Sequence, residues 1–182
     1  MIVAIKGLGG YHLACDATNE LAVRTLRNRK IREEKPFALM FRNIAVVKKF
    51  CDVGETEEAE LLSVARPIVV LNRKPGTPLL PQFISPDSSS IGAFLPYTPL
   101  HRLLFEHAPP ALVMTSGNLR EEPIATDNGE ARQRLAHLAD AFLMHDRPIA
   151  RPCDDSVVRL ARGRVLDVGC GTGRLAMTVS ER

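Results

Sequence analysis

Six cationic side chains gather within twelve residues: Arg24, Arg27, Arg29, Lys30, Arg32 and Lys35. Arginine grips phosphate oxygens through paired donors, and lysine acts on them as a point charge. The same cations would suit the C-terminal dipole of a helix ending near Arg29, and Glu33 and Glu34 offset part of the charge. On spacing alone a solvated helix end is the favoured reading. A second group is Thr115-Ser116-Gly117-Asn118, directly after the apolar run Ala111 to Met114. Ligands of open α/β sheets collect beyond the carboxyl ends of strands. There Gly117 would allow close backbone approach, and hydroxyl and amide groups could meet phosphate or sugar oxygens. An ordinary turn, with Ser116 and Asn118 bonding their own backbone, accounts for the residues as well.

Cys153-Asp154-Asp155-Ser156 is a third group. Adjacent carboxylates could hold a magnesium ion that travels with ATP. A solvated strand start is preferred for Asp154, and Ser156 could touch a phosphate. His12, beside Gly9-Gly10-Tyr11, reads as structural, and His101 in Tyr97-Thr98-Pro99-Leu100-His101 is ambiguous. No Ser-His-Asp set and no metal-ligand spacing such as HExxH stands out, so no metal site is assigned. Near the end, Val165-Leu166-Asp167-Val168-Gly169-Cys170-Gly171-Thr172-Gly173 resembles the first motif of S-adenosylmethionine methyltransferases. Only nine residues follow it, too few to build the rest of such a fold.

The elements that would position these groups follow from periodicity and punctuation. Short apolar runs predict strands at Ile2 to Lys6, Phe37 to Phe41, Pro67 to Leu71, Ile91 to Leu95, Ala111 to Met114, Ala141 to Met144 and Ser156 to Leu160. Asp16 or Thr18 can cap a helix running to Arg29, with Leu21, Ala22, Val23 and Leu26 inward. Further helices are expected at Ile44 to Phe50, Glu57 to Val64, Leu100 to His107 and Asn128 to Leu138. The last has capping-box spacing at Asp127 and Glu130. Pro75 to Ser90 reads as a surface loop. Strands and helices mix without strict βαβ alternation, which predicts an α/β domain of the α+β type with a twisted, mixed sheet flanked by helices.

Composition narrows the class. At 182 residues, 45% hydrophobic and 25% charged, the chain can bury one core, and a net charge of +3 does not by itself call for nucleic acid. No apolar run reaches bilayer length, so no membrane role and a cytoplasmic setting are expected. The four cysteines form no CxxC pair, which argues against a zinc knuckle.

Several blocks, in order, resemble one family. Lys6 to Met40 (KGLGGYHLACDATNELAVRTLRNRKIREEKPFALM), LPYTPLHRLLF, ALVMTSGNLREEPI and HDRPIARPCDDSVVR are similar to the YrdC-like domain of HypF-type carbamoyltransferases, which mature [NiFe]-hydrogenases. The resemblance implies a YrdC-like fold over 1–161, followed by a methyltransferase-like tail at 162–182. It implies formation of carbamoyl adenylate from ATP, with Mg2+, and carbamoyl phosphate or carbamate. In the full-length family a HypE-like protein accepts the carbamoyl group. Without the family's companion domains the domain would not complete that reaction alone. Matched position by position, the phosphate-binding residues would be Arg29, Lys30, Arg32, Lys35, Thr115, Ser116, Asn118 and Ser156. Related synthases make threonylcarbamoyl adenylate for tRNA modification, and YrdC-like surfaces are linked to double-stranded RNA, so both remain as alternatives. His12 in HLACDA, where the synthases have GLGCDA, and the Tyr97 to His101 block favour the HypF type.

Overall fold

A computed structural model describes residues 1–32, 34–75, 80–86, 88–119, 122–161 and 164–169. The strands are β1 (Val3–Lys6), β2 (Tyr11–Asp16), β3 (Ala38–Phe41), β4 (Ile68–Asn72), β5 (Ser90–Phe94), β6 (Ala111–Ser116), β7 (Ala141–Leu143), β8 (Val157–Ala161) and β9 (Arg164–Gly169). The helices are α1 (Glu20–Arg29), α2 (Ile44–Phe50), α3 (Glu55–Leu62), α4 (Pro99–His107) and α5 (Asn128–Arg134). All nine strands join one sheet in the order β7-β1-β2-β6-β3-β5-β4-β8-β9. Three pairings are parallel, β1 with β7, β3 with β5 and β4 with β8, and the others are antiparallel. The mixed sheet expected from the sequence is therefore present.

The sheet buries both faces, and side-chain alternation decides which residue goes where. Tyr11, Leu13 and Cys15 of β2 join Val23 and Leu26 of α1, Val47 of α2, Leu61 of α3 and Ala131 of α5 on one face. Ala14 of β2, Met40, Phe94 and Met114 meet Phe105 of α4 on the other. Each fully buried Phe or Leu contributes about 2 kcal/mol, so the packing of both layers stabilises the sheet between them.

Several expectations change. The sequence reading assigns no element to residues 11–16, and β2 runs through them. Gly7 and Gly10 close the β1–β2 hairpin, with the Gly7 N–H on the Gly10 carbonyl at 2.8 Å. Because both faces of β2 are covered, its sequence shows no polar alternation that would betray a strand. The cap of α1 is Asn19, which accepts from the Ala22 N–H at 3.0 Å. Asp16 instead accepts from the Thr18 N–H at 2.8 Å. Leu21 is 74% exposed, because Ala22, Val23 and Leu26 already define the inward stripe. Helix α5 stops at Arg134 rather than Leu138. The strand at the head of the glycine-rich tail is β9, paired antiparallel with β8. Residues 170–182, with the rest of that motif, lie outside the described residues. Among the described residues no helix is long and apolar enough to cross a membrane.

Candidate nucleotide-binding cleft

The end of α1 is built to turn sharply. Ile31 takes φ 50°, a left-handed conformation that a β-branched side chain resists, and it reverses the chain so that Lys30 and Arg32 both face β6. Arg27 is not part of a solvated helix face. It is 6% exposed and donates to the carbonyls of Phe83 (2.8 Å), Arg32 (2.7 Å) and Lys35 (3.3 Å). Its guanidinium and that of Arg32 both lie over the Phe37 ring, at 4.6 and 5.0 Å from the centroid. Arg27 thus scaffolds the basic loop from beneath.

Lys30 crosses to the turn after β6. It is 5% exposed, and its Nζ donates to the carbonyls of Ser116 (2.5 Å) and Asn118 (2.9 Å) and to Asn118 Oδ1 (3.2 Å). Arg32 donates to Thr115 Oγ1 at 3.3 Å and to the carbonyls of Lys35 (2.9 Å) and Pro36 (2.5 Å). The turn is tied internally as well. Ser116 Oγ donates to Asn118 Oδ1 at 2.8 Å, and Asn118 Nδ2 donates to the Glu122 carbonyl at 2.7 Å. Gly117 stacks on β2 so closely that an added Cβ would lie 2.6 Å from the Tyr11 carbonyl oxygen.

Lys30, Ile31, Arg32, Glu34, Lys35, Ser116 and Asn118 line a cleft of about 430 Å3. Three of these seven residues are cations and one is an acid, so the cleft is electropositive. Burial, then the charges of Arg32 and Lys35, push the Lys30 ammonium down to about 7. Burial and Arg27 push Arg32 down to about 10. Both shifts report a place short of negative charge.

The expected residues divide accordingly. Lys30, Arg32, Lys35, Ser116 and Asn118 come together in the cleft, with Thr115 beside them as the acceptor for Arg32. Arg29 does not join: its guanidinium pairs with Asp140 Oδ1 at 2.6 Å and donates to the Leu138 carbonyl at 3.1 Å, because one helical step rotates it about 100° away from Lys30. Ser156 is exposed just before β8, outside the lining residues, and its carbonyl accepts from the Ile68 N–H. Arg24 pairs with Glu20 on the surface. Asp154 is exposed, and its charge acts on Lys30. Among the described residues no group of three or more His, Cys, Asp or Glu side chains is placed to hold a metal ion.

A second polar group was not foreseen. His12 and His101 are not separate; both pack around Asp155. His12 Nε2 stands 3.4 Å from Asp155 Oδ2, and the Tyr97 hydroxyl donates to Asp155 Oδ1 at 3.2 Å. The rings of Tyr97 and His101 meet edge to face at 4.6 Å. Burial pushes the Asp155 carboxyl up, but His12, Tyr97 and His101 more than offset this and hold it below the usual range. Burial and His12 push His101 down to about 4, so it stays neutral. Asp155 is therefore a structural carboxylate, which removes it from a pair of magnesium ligands. The sequence separation of residues 12, 97, 101 and 155 hid the group.

Comparison with known proteins settles the family. The Sua5/YciO/YrdC family, described as "Telomere recombination", matches residues 1–169. The chain belongs to it. Within that family it is a HypF-type YrdC-like domain. It is 50% identical over 172 residues to the carbamoyltransferase HypF2 of Cupriavidus necator, covering 87% of this chain and 21% of that protein. It superposes on full-length HypF in its phosphate- and nucleotide-bound form with a TM-score of 0.88 at 48% identity, over 92% of this chain and 26% of that one. Pyrococcus abyssi Sua5 complexed with L-threonine shares the fold, with a TM-score of 0.78 at 17% identity over 92% and 49%. The chain spans about a fifth of the length of the curated HypF relatives it matches.

Proposed function

We propose that this YrdC-like domain binds ATP in the Lys30–Asn118 cleft and uses it to adenylate carbamate, as the nucleotide-activating part of a HypF-type carbamoyltransferase. The observation that carries the reading is the convergence of Lys30, Arg32 and Lys35 on one cleft under the Ser116–Asn118 turn. Arg32 retains N–H donors beyond those spent on Thr115, Lys35 and Pro36, and Lys35 is an exposed point charge. These two take the phosphate oxygens. Lys30 supplies charge from below, and Ser116 and Asn118 fix where that charge sits.

In the reaction a carbamate oxygen attacks the α-phosphorus, and pyrophosphate leaves with the bond it held. Charge builds on the leaving oxygens, and preorganised cations lower that barrier. Magnesium would arrive with ATP as part of the substrate, and Asp154, whose charge acts on Lys30, is the acidic group assigned to meet it. Identity of 48% to a nucleotide-bound HypF against 17% to a threonine-bound Sua5 favours carbamate over threonylcarbamate as the activated group. Handing the carbamoyl group to a HypE-like acceptor and the part played in hydrogenase maturation belong to the longer family proteins.

Isothermal titration with ATP and magnesium tests the reading. Wild type should bind, and Arg32→Ala should bind at least about tenfold more weakly, since a charge-assisted phosphate contact is lost. Absence of ATP binding in the folded wild type sinks it.

A further inference from the structure

The hold on Lys30 has one part that can be turned over. Its ammonium has three hydrogens, and three oxygens take them: the carbonyls of Ser116 and Asn118, and Asn118 Oδ1. The two carbonyls are set by β6 and the turn that follows it. The third acceptor belongs to a side-chain amide, which presents oxygen or nitrogen according to its partners. Turned over, Asn118 would set Nδ2 against the ammonium, donor on donor. What keeps the amide in the right sense lies outside the cleft: its Nδ2 donates to the Glu122 carbonyl at 2.7 Å.

Arg134, the last residue of α5, sets where that carbonyl stands. A helical arginine four residues after Glu130 has a sufficient partner in that carboxylate, and Arg134 Nη1 does donate to Glu130 Oε1. Its Nη2 reaches further, to the Pro123 carbonyl at 2.5 Å and Glu122 Oε2 at 3.1 Å. One guanidinium thus grips the chain on both sides of the Glu122 carbonyl. Pro123 has no N–H, so the peptide between Glu122 and Pro123 cannot be tied through a backbone donor. The Glu122 N–H makes only a long bond, 3.3 Å to the Leu119 carbonyl. Further along, the Ala125 N–H donates to the Gly117 carbonyl at 3.0 Å, and its carbonyl accepts from the Tyr11 N–H at 2.8 Å. Ile124 covers Gly10, where an added Cβ would fall 2.3 Å from Ile124 Cδ1. These contacts fix the Ala125 end of the segment and leave the Glu122 end to Arg134.

We infer that Arg134 is a positioning residue of the first cleft: by clamping Glu122 and Pro123 it fixes the Glu122 carbonyl, and through it the sense of the Asn118 amide that faces Lys30. Among the described residues no member of α5 lines that cleft, so Arg134 acts on it only through residues 122 and 118. The effect on ATP rests on the proposed function above; the effect on Lys30 does not.

The test follows the Lys30 ammonium by NMR in lysine-labelled protein free of ligand, its resonance assigned by its loss in Lys30→Arg. Besides burial, Arg32 and Lys35 push this group down and Asp154 pushes it up, and the variants below leave all three in place. Wild type should titrate at about 7. Arg134→Ala should titrate at least about half a pH unit lower, because an acceptor of the charged form is lost. Arg134→Lys keeps a cation beside Glu122 and the Pro123 carbonyl and should recover most of that shift. Arg132→Ala, exposed on the same helix, should leave Lys30 where it is. With ATP and magnesium, Arg134→Ala should bind about threefold more weakly at pH 8 and within about 1.5-fold at pH 5.5, where Lys30 is charged in both proteins. Where Arg134→Ala does not fold, Glu122→Gln loosens the same clamp at an exposed side chain and should move Lys30 in the same direction. An unmoved Lys30 in folded Arg134→Ala or Glu122→Gln, or an equal shift in Arg132→Ala, overturns the inference. A shifted Lys30 in a protein that binds no ATP leaves it standing while the adenylation reading falls, and an unmoved Lys30 with intact ATP binding does the reverse.

Discussion

The two clefts hold cations in opposite ways. In the first, Lys30 and Arg32 are tied to carbonyls of the loop and of the turn after β6, and Arg27 braces the loop from below. In a second cleft, lined by the β1–β2 hairpin and the first turn of α4, Lys6 is buried with a single hydrogen bond while Arg147 and Arg151 stand free in solvent. Tied cations give geometry at a cost in charge, which the lowered Lys30 records. Free cations give attraction without direction. A cleft that must align a triphosphate for in-line displacement needs the first kind.

Mutations can break that contrast. The largest effect is expected for Lys30→Met, which leaves the Ser116 and Asn118 carbonyls buried without a donor. Stability should fall by about 2 kcal/mol in chemical denaturation, and ATP binding should be lost. Gly117→Ala drives a Cβ into Tyr11 of β2 and should destabilise by about 1–3 kcal/mol without altering any charged group, which separates the shape of the turn from its charge. A smaller effect is expected at Lys35→Ala, which removes an untied cation; ATP should weaken less than in Arg32→Ala, and raised salt should narrow the difference. Smallest is Arg24→Ala, in an exposed pair with Glu20, where stability should shift by less than about 0.5 kcal/mol.

Protons sharpen the same comparison. Lys30 is depressed in the folded state relative to an ordinary lysine, so between pH about 7 and its usual value the folded protein binds fewer protons than the unfolded chain. Stability from this group therefore rises with pH across that window and is lost as pH falls through about 7. Phosphate oxygens placed beside Lys30 favour its charged form. Binding of ATP at pH 8 should then take up a fraction of a proton, read as a dependence of the calorimetric heat on the buffer's ionisation enthalpy. Lys30→Met should abolish that uptake.

Much of this was legible in the residues. Helix α2 falls at the expected residues, and the apolar runs at Ile68 to Leu71 and Ala111 to Met114 are strands because their type and length leave no other economical use. The members of the first cleft could be named only through the family resemblance, because on spacing alone the cations read as a solvated helix end and Thr115 to Asn118 could be an ordinary turn. Their division of labour could not. Whether Arg27 braces and Lys30 ties depends on which carbonyls lie within reach, and those belong to residues 83 and 116. The strand at Tyr11 to Asp16 was hidden for the opposite reason: it is covered on both faces and so shows no pattern. His12, His101 and Asp155 each read as unremarkable alone, and their meeting is a property of sheet order.

The bond from Lys30 to Ser116 joins residues 86 apart in the chain. During synthesis, the first cleft can therefore have no floor until β6 has emerged and inserted between β2 and β3. Contacts of such long range form late and slowly. Fragments ending before residue 116 would display the basic loop to solvent with its lysine fully charged, a surface open to any passing polyanion until the sheet is complete.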